Sequence, residues 1–301
     1  MWYILNMNIK ELSEKWNVSE RTVRNYCQQG KIIGAFKEGR SWMIPNNAKK
    51  PIRKKRTCKV SNDLLTRLKM EKEAQISGGI YHQIQIDLTY NSNHMEGGRL
   101  THDQTRYIFE THTIGIQNDQ LNVDDIVETV NHFHCIDLMI DLANYKLSES
   151  FIKQLHLILK SSTSDSRKSW FAVGDYKKME NEVGGSATCL ACDVPKEMKS
   201  LLKRYNKIEK KSLKDLIEFH YEFEKIHPFQ DGNGRVGRLI LFKECLRYRI
   251  TPFIISDDLK LFYYRGLKEW CYAPGYLMDT CLMAQDRMKQ KLDYFGIKYE
   301  N

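Results

Sequence analysis

The chain has 301 residues, 42% hydrophobic and 28% charged, with a formal net charge of +9. That balance excludes a disordered chain. The length allows two domains, or one large body with an appendage, and a body of this size buries a core without covalent staples. No stretch approaches the run of about 18 apolar residues that a membrane helix needs, and the start MWYILNMNIK lacks the basic and apolar regions of a secretion signal; the expectation is a cytoplasmic protein with no membrane partner.

The charge is unevenly placed. Residues 1–59 hold 14 Lys+Arg against 4 Asp+Glu, whereas the remainder holds 33 against 34. A basic surplus confined to one small segment suggests a polyanion partner for that segment. Within residues 1–47, a first helix is expected over Ile9 to Trp16 and a turn at Asn17-Val18-Ser19. Ser19 then serves as N-cap of a second helix. Thr22 and Val23 turn inward on that helix; Arg21, Arg24 and Asn25 turn outward. Gly30 stops it, and KIIGAFKEGRSWMIP reads as two short strands around Glu38-Gly39. The VSERTVRNY stretch, the Gly30-Lys31 break and the Gly39-to-Pro45 segment resemble the excisionase-like winged helix-turn-helix family. The resemblance implies DNA as partner of residues 1–60, with the second helix in the major groove. Arg21, Thr22, Arg24 and Asn25 would be base or phosphate contacts, and Arg40 on the wing would meet phosphates. A helical module for protein contacts, with a solvated charged face, is the other reading. Residues 48–60, AKKPIRKKRTCKV, form a basic solvated linker.

Residues 61–301 are mainly helical in pattern, with apolar spacings of helical period over 124–143, 149–160 and 212–226. The stretch VGDYKKMENEVGG (173–185) has turn residues at both ends and reads as a hairpin or loop. The eight cysteines are scattered apart from the pair Cys189 and Cys192. A zinc ribbon needs a second such pair, so reduced cysteines are expected. His132 and His134, two apart, do not share a helix face as a metal pair.

The strongest signal is HPFQDGNGRVGR, His227 to Arg238. Pro228 forbids continuation of the preceding helix, so His227 stands at a helix-to-loop junction where a base can reach a substrate. Phe229 is apolar and anchors the loop. Asp231 is a hard oxygen ligand suited to Mg²⁺. Gly232, Asn233 and Gly234 precede a new helix, whose free N–H groups and dipole form an anion site. Arg235 and Arg238, three apart, share one face of its first turn and suit a polyphosphate clamp. Base, metal ligand, anion cradle and two arginines within twelve residues describe a phosphate-transfer site, and no Walker A pattern accompanies them.

These residues fill every fixed position of the Fic family pattern H-P-F-x-[D/E]-G-N-G-R-x-x-R. Further similarity lies in TYNSNHMEGGRLT (89–101), IKQLHLIL (152–159), GDYKKMENEVGG (174–185) and LFYYRGL (261–267). The resemblance implies a mainly α fold, a helical domain with a small β-hairpin flap that holds a target protein as an added strand. It implies transfer of AMP from ATP, with Mg²⁺, to a hydroxyl side chain of a protein, the chain itself included. His227 would be the base and Asp231 the metal ligand. Gly232, Asn233 and Gly234 would cradle phosphates, Arg235 and Arg238 would support the β- and γ-phosphates, and Tyr263 and Tyr264 would lie on the adenine side. Ser92 to Gly97 fits the family's inhibitory pattern [S/T]-x-x-x-E-[G/N]. That implies a short helix (about 88–98) on which Ser92 steadies Glu96, and Glu96 pairs with Arg238 in place of the γ-phosphate. Two other readings stay open: a DNA-binding transcriptional regulator whose Fic body senses nucleotide, and an enzyme that removes AMP. Oligomeric state leaves no mark in the sequence.

Overall fold

A computed structural model describes residues 6–39, 41–51, 63–114 and 120–299. Arg40 and most of the basic linker lie outside the described residues. The chain divides into two compact units, Met1–Val60 and Ser61–Asn301.

In the first unit, β1 (Asn6–Met7) leads into α1 (Ile9–Trp16) and α2 (Glu20–Gln28), followed by β2 (Phe36–Glu38) and β3 (Ser41–Pro45). Asn8 and Glu11 form a capping box that starts α1, and Asn17 ends it in the left-handed region at φ 50°. Ser19 accepts from the Thr22 N–H and starts α2. Strand β3 pairs antiparallel with both β1 and β2, giving the order β1-β3-β2. The strand β1 adds a third strand to the hairpin expected from sequence. Leu12, Trp16, Val23, Cys27, Ile32 and Ile44 close a small core between helices and sheet.

The second unit is helical. It runs α3 (Leu64–Glu73), α4 (Ile80–Met95), α5 (His102–Thr111), α6 (Val123–Asp141) and α7 (Glu149–Lys160), then a hairpin of β4 (Glu182–Val183) and β5 (Ser186–Ala187). It continues with α8 (Val194–Lys207), α9 (Leu213–Ile226), α10 (Asn233–Arg247), α11 (Lys260–Glu269) and α12 (Gly275–Tyr294). Among the described residues no helix is long and apolar enough to cross a membrane.

The organising element is α10, buried at every position from Asn233 to Leu246. Helices α4, α6, α7 and α9 pack against it, with Leu239, Ile240 and Phe242 meeting Ile84, Ile136, Leu155 and Phe223 in the main core. A helix buried all round yet carrying Arg235, Arg238, Lys243 and Glu244 must supply each charge with a partner, because an unpaired buried ion costs several kcal/mol. Lys243 and Glu244 pair with each other at 2.6 Å, and the Tyr205 hydroxyl donates to Glu244 at 2.7 Å. The two arginines find their acids on other helices.

Candidate active site

Helix α9 delivers His227. Ser212 and Asp215 cap its start, and Leu216, Phe219, Phe223 and Ile226 bury one face. His227 takes the C-cap in the left-handed region at φ 51°, and Pro228 prevents another turn. Its Nδ1 lies 3.3 Å from the Glu224 carbonyl oxygen. A carbonyl only accepts, so Nδ1 carries the proton and Nε2 is left with its lone pair. Burial lowers the imidazole to about 4, which leaves it neutral near pH 7.

The loop after His227 is fixed from inside. Phe229 is fully buried and stacks on His156, ring centroids 4.0 Å apart and planes within 10°. The Asn233 side chain accepts from the Phe229 N–H at 2.7 Å and donates to the Phe229 carbonyl at 2.8 Å. Gly232 sits at φ 81°, a conformation that other residues adopt at a cost. The chain therefore turns sharply into α10 and presents the first N–H groups of that helix.

A carboxylate already stands there. A Cβ on Gly234 would come within 2.2 Å of Glu96 Oε1, so Glu96 lies directly against the first turn of α10, where N–H groups and helix dipole favour an anion. Arg238 Nη2 donates to Glu96 Oε1 at 2.7 Å and to the Ser92 carbonyl at 2.9 Å, and Arg238 Nε donates to Ser92 Oγ at 3.0 Å. Ser92 and Glu96, expected to meet each other, both converge on Arg238, which donates to the hydroxyl oxygen of one and the carboxylate of the other. Nor is the helix short. Helix α4 has 16 residues and Glu96 is its C-cap, followed by Gly97 at φ 92°.

Arg235 is served by a ring of charge. It pairs with Glu128 of α6 through Nη1 and with Asp231 Oδ2 through Nη2 at 3.1 Å. Lys160, at the end of α7 and 2% exposed, pairs with Glu128, with Asp231 Oδ2 at 2.7 Å and with Asp165 Oδ2 at 3.0 Å. Burial pushes the Lys160 ammonium down, but Asp231 and Glu128 hold it above its ordinary value. Burial likewise works against an ionised Asp231, yet the charges of Arg235 and Lys160 hold its carboxyl well below the usual range. A polar cavity of about 80 Å³ adjoins, lined by Glu96, Asp125, Glu128, Thr129 and Arg235 among others.

The hairpin sits further along than expected. Strands β4 and β5 pair through Glu182↔Ala187 and Val183↔Ser186, turning on Gly184-Gly185. Residues 173–181 form no strand, because their polar groups bind the loop after His227. The Lys177 N–H donates to the Pro228 carbonyl at 2.9 Å, and Asn181 Nδ2 to the Phe229 carbonyl at 3.0 Å. The Lys177 ammonium in turn holds Asn181 Oδ1 and Thr188 Oγ1 at 2.7 and 2.6 Å. Glu180 is occupied internally, accepting from the Ala191 N–H at 3.0 Å.

The tyrosines separate. Tyr263 is 1% exposed, its hydroxyl 2.6 Å from His220 Nε2. It belongs to the core beneath the site. Tyr264 is 39% exposed and donates to the Met95 carbonyl at 3.0 Å, holding the end of α4. In the front unit, Arg21 and Asn25 are exposed on α2. Arg24 pairs loosely with Glu20 at 3.4 Å, and the Thr22 hydroxyl is engaged with Ser19 Oγ at 2.9 Å. Arg40 lies outside the described residues.

Sequence reasoning missed Glu128, Lys160, Lys177, Asn181 and Glu224. One signal was available: Lys160 lies four residues after His156, hence on the same helix face, and His156 stacks on the loop.

These elements have counterparts in known proteins. Residues 146–244 match the profile of the Fic/DOC family. The chain is 28% identical over 220 residues to protein adenylyltransferase Fic of Drosophila mojavensis, covering 69% of this chain and 38% of the relative. The same identity holds for its namesake in Drosophila grimshawi, at 69% and 40%, so the chain spans about two fifths of the length of these curated relatives. Among solved structures, it superposes on a Fic domain containing signaling protein from Bacteroides thetaiotaomicron with TM-score 0.57 and 24% identity, covering 78% of this chain and 91% of that one. Fic-1 (residues 134–508) of C. elegans gives TM-score 0.57 at 19% identity, covering 77% and 68%. These structural likenesses are ones of fold. Residues 146–244 are thus similar to the Fic/DOC family, within a chain similar over 220 residues to protein adenylyltransferase Fic of Drosophila.

Proposed function

We propose that this chain is an autoinhibited protein adenylyltransferase that moves AMP from ATP to a hydroxyl side chain of a protein, itself among the acceptors. The observation that carries the reading is the grouping of His227, Asp231, Arg235 and Arg238 around the N-terminus of α10, with Glu96 lying on that terminus. Neutral His227 takes the proton of the incoming hydroxyl at Nε2. The oxygen attacks the α-phosphorus in line and pyrophosphate leaves. The first turn of α10, Arg235 and Arg238 hold the β- and γ-phosphates, so the protein contributes mostly position and charge.

Mg²⁺ fits this site. A metal that travels with nucleotide phosphates needs only one or two protein carboxylates. Asp231 is ionised and its side chain is 45% exposed, and its two cationic partners both touch Oδ2. Asp231 would hold the ion, which when bound neutralises phosphate charge. Glu96 is the brake in this reading: it occupies Arg238 and the anion position, so triphosphate binds out of line for attack.

The test is labelling with α-³²P-ATP and Mg²⁺ on the intact chain, Glu96→Gly, and Glu96→Gly/His227→Ala. Label that rises with Glu96→Gly and vanishes in the double variant is the expected result. No label in any form, with nucleotide binding demonstrated, overturns transfer. The weight then moves to removal of AMP, in which Glu96 aligns a water, or to a nucleotide-sensing regulator.

Residues 1–47 are proposed as a winged helix-turn-helix DNA-binding module, joined by the basic linker 48–60 to the catalytic body 61–301 in the cytoplasm. The confined basic surplus and the exposed Arg21, Arg24 and Asn25 support this. DNA binding that weakens steeply with salt is expected. Failure of the full chain to bind random or genomic duplex at low salt overturns it.

A further inference from the structure

The mechanism above gives no task to Lys160, a buried cation in contact with Asp231. Lys160 is 2% exposed, yet three carboxylates from three segments converge on its ammonium: Glu128 of α6, Asp165 in the loop after α7, and Asp231 of the catalytic loop. With Arg235 it closes a ring of alternating charge, in which Glu128 and Asp231 each touch both cations. The ring contacts Asp231 only at Oδ2, through Lys160 at 2.7 Å and Arg235 at 3.1 Å. Oδ1 takes no part in it.

The two acids that face the arginines of α10 are built differently. Glu96 is a helix C-cap with one cationic partner and a glycine after it, and its side chain is 28% exposed. Glu128 lies inside α6 with two cationic partners and is 15% exposed. The first can swing away at the expense of a single ion pair. The second is locked, and Lys160 is what locks it, since Lys160 offsets the Glu128 charge that Arg235 shares with Asp231.

We infer that Lys160 is a positioning residue of the nucleotide–metal site: its ammonium, held by Glu128 and Asp165, pins Oδ2 of Asp231 and keeps Oδ1 as the oxygen offered to the metal. Lys160 is too buried to meet nucleotide itself, so it acts through Asp231 and Arg235. The inference rests on the nucleotide site proposed above.

The experiment is calorimetric titration with ATP, with Mg²⁺ and with EDTA, in the Glu96→Gly/His227→Ala background, which removes brake and turnover. Lys160→Met is expected to weaken Mg²⁺-ATP binding about tenfold by loss of positioning and of one positive charge. Lys160→Met/Asp165→Asn keeps the net charge of the cluster and guards against a single variant that fails to fold. It is expected to weaken Mg²⁺-ATP binding by about fivefold while changing ATP binding in EDTA by less than about twofold. Equal loss with and without Mg²⁺ in that double variant overturns the inference, because the effect then bypasses Asp231 and the metal. So does Mg²⁺-ATP binding within about twofold of the background, which leaves Lys160 as an internal ion pair alone. If the background itself binds no ATP, the nucleotide site falls and this inference with it; if only the Lys160 comparison fails, the nucleotide site stands.

Discussion

Replacing Glu96 by alanine is expected to move stability and nucleotide affinity in opposite directions. Glu96 sits at φ −92° as the cap of α4, so alanine adds no backbone strain. The change removes one charge-assisted hydrogen bond of 2.7 Å to Arg238, while both bonds from Arg238 to Ser92 remain. Such a bond contributes about 1.5–3 kcal/mol when buried. Since Glu96 is partly solvated, about 1–2 kcal/mol is the better figure. For a body of this size that lowers the melting temperature of the nucleotide-free chain by roughly 2–8 °C. The same 1–2 kcal/mol is what a phosphate must now overcome to reach Arg238, so its removal tightens ATP binding about 5- to 30-fold. Thermal melts across an ATP series read both quantities at once: the curve of the variant starts lower and climbs further, because ligand stabilisation grows with affinity. A lower starting point with unchanged ATP affinity refutes the reasoning, for it shows that Arg238 is not withheld from the nucleotide. An unchanged starting point refutes it too, for the ion pair then contributes nothing to release.

Three further outcomes follow from the same geometry. Because burial holds His227 at about 4, kcat/KM for labelling by Glu96→Gly should stay flat as pH falls from 8 to 6 and drop only as His227 gains its proton nearer 4; a loss centred near 6.5 contradicts the buried, neutral base. Glu224 is largely buried, its Oε1 has no hydrogen-bond partner, and burial raises its carboxyl to about 8. The native state thus keeps a proton that the unfolded chain releases near 4.5, and stability falls as pH rises through that window. Glu224→Gln should therefore be more stable than its parent at pH 8 by on the order of 1–3 kcal/mol in denaturant unfolding, with little difference at pH 5, and an equal difference at both pH values counts against it. Asn233→Ala leaves the Phe229 N–H and carbonyl without their partner inside the core, which should destabilise by about 2–4 kcal/mol and abolish labelling; a stable, active variant shows that the loop does not depend on this bracket.

The parts of the site legible in the sequence are those that lie close together in it. Pro228 and the Gly232-Asn233-Gly234 run announce where α9 stops and α10 begins, because a missing N–H and a left-handed residue act locally. Ser19 and Ser212 announce helix starts for the same reason. The long-range pairings were not legible. Arg235 meets an acid 107 positions away and Arg238 one 142 positions away, and periodicity reports only which face of a helix is buried. Lys160 ends an apolar run as a surface lysine would, and only the three acids around it explain its burial. The division of 173–187 into a loop and then a hairpin was not legible for a related reason: the bonds of Lys177 and Asn181 to the Pro228 and Phe229 carbonyls exist only once distant elements are packed.

The burial of α10 bears on the brake proposed above. The first turns of this helix, proposed to receive triphosphate, carry two arginines that are almost wholly closed to water. Without nucleotide, those cations would be buried and uncompensated, which costs more than the chain's marginal stability tolerates. Some acid must therefore occupy each arginine in the folded chain, and the autoinhibition proposed above would follow from folding rather than being added to it. Glu128 meets this need for Arg235 within the span of α6, backed by Lys160. Glu96 meets it for Arg238 from a helix end beside two glycines, with one partner and partial exposure to water. In the proposed mechanism the acid at the helix end is the one that yields. Any event that draws the end of α4 away, such as disturbance of the Tyr264 bond to the Met95 carbonyl, exposes Arg238 without loosening the ring that holds Asp231 and Arg235.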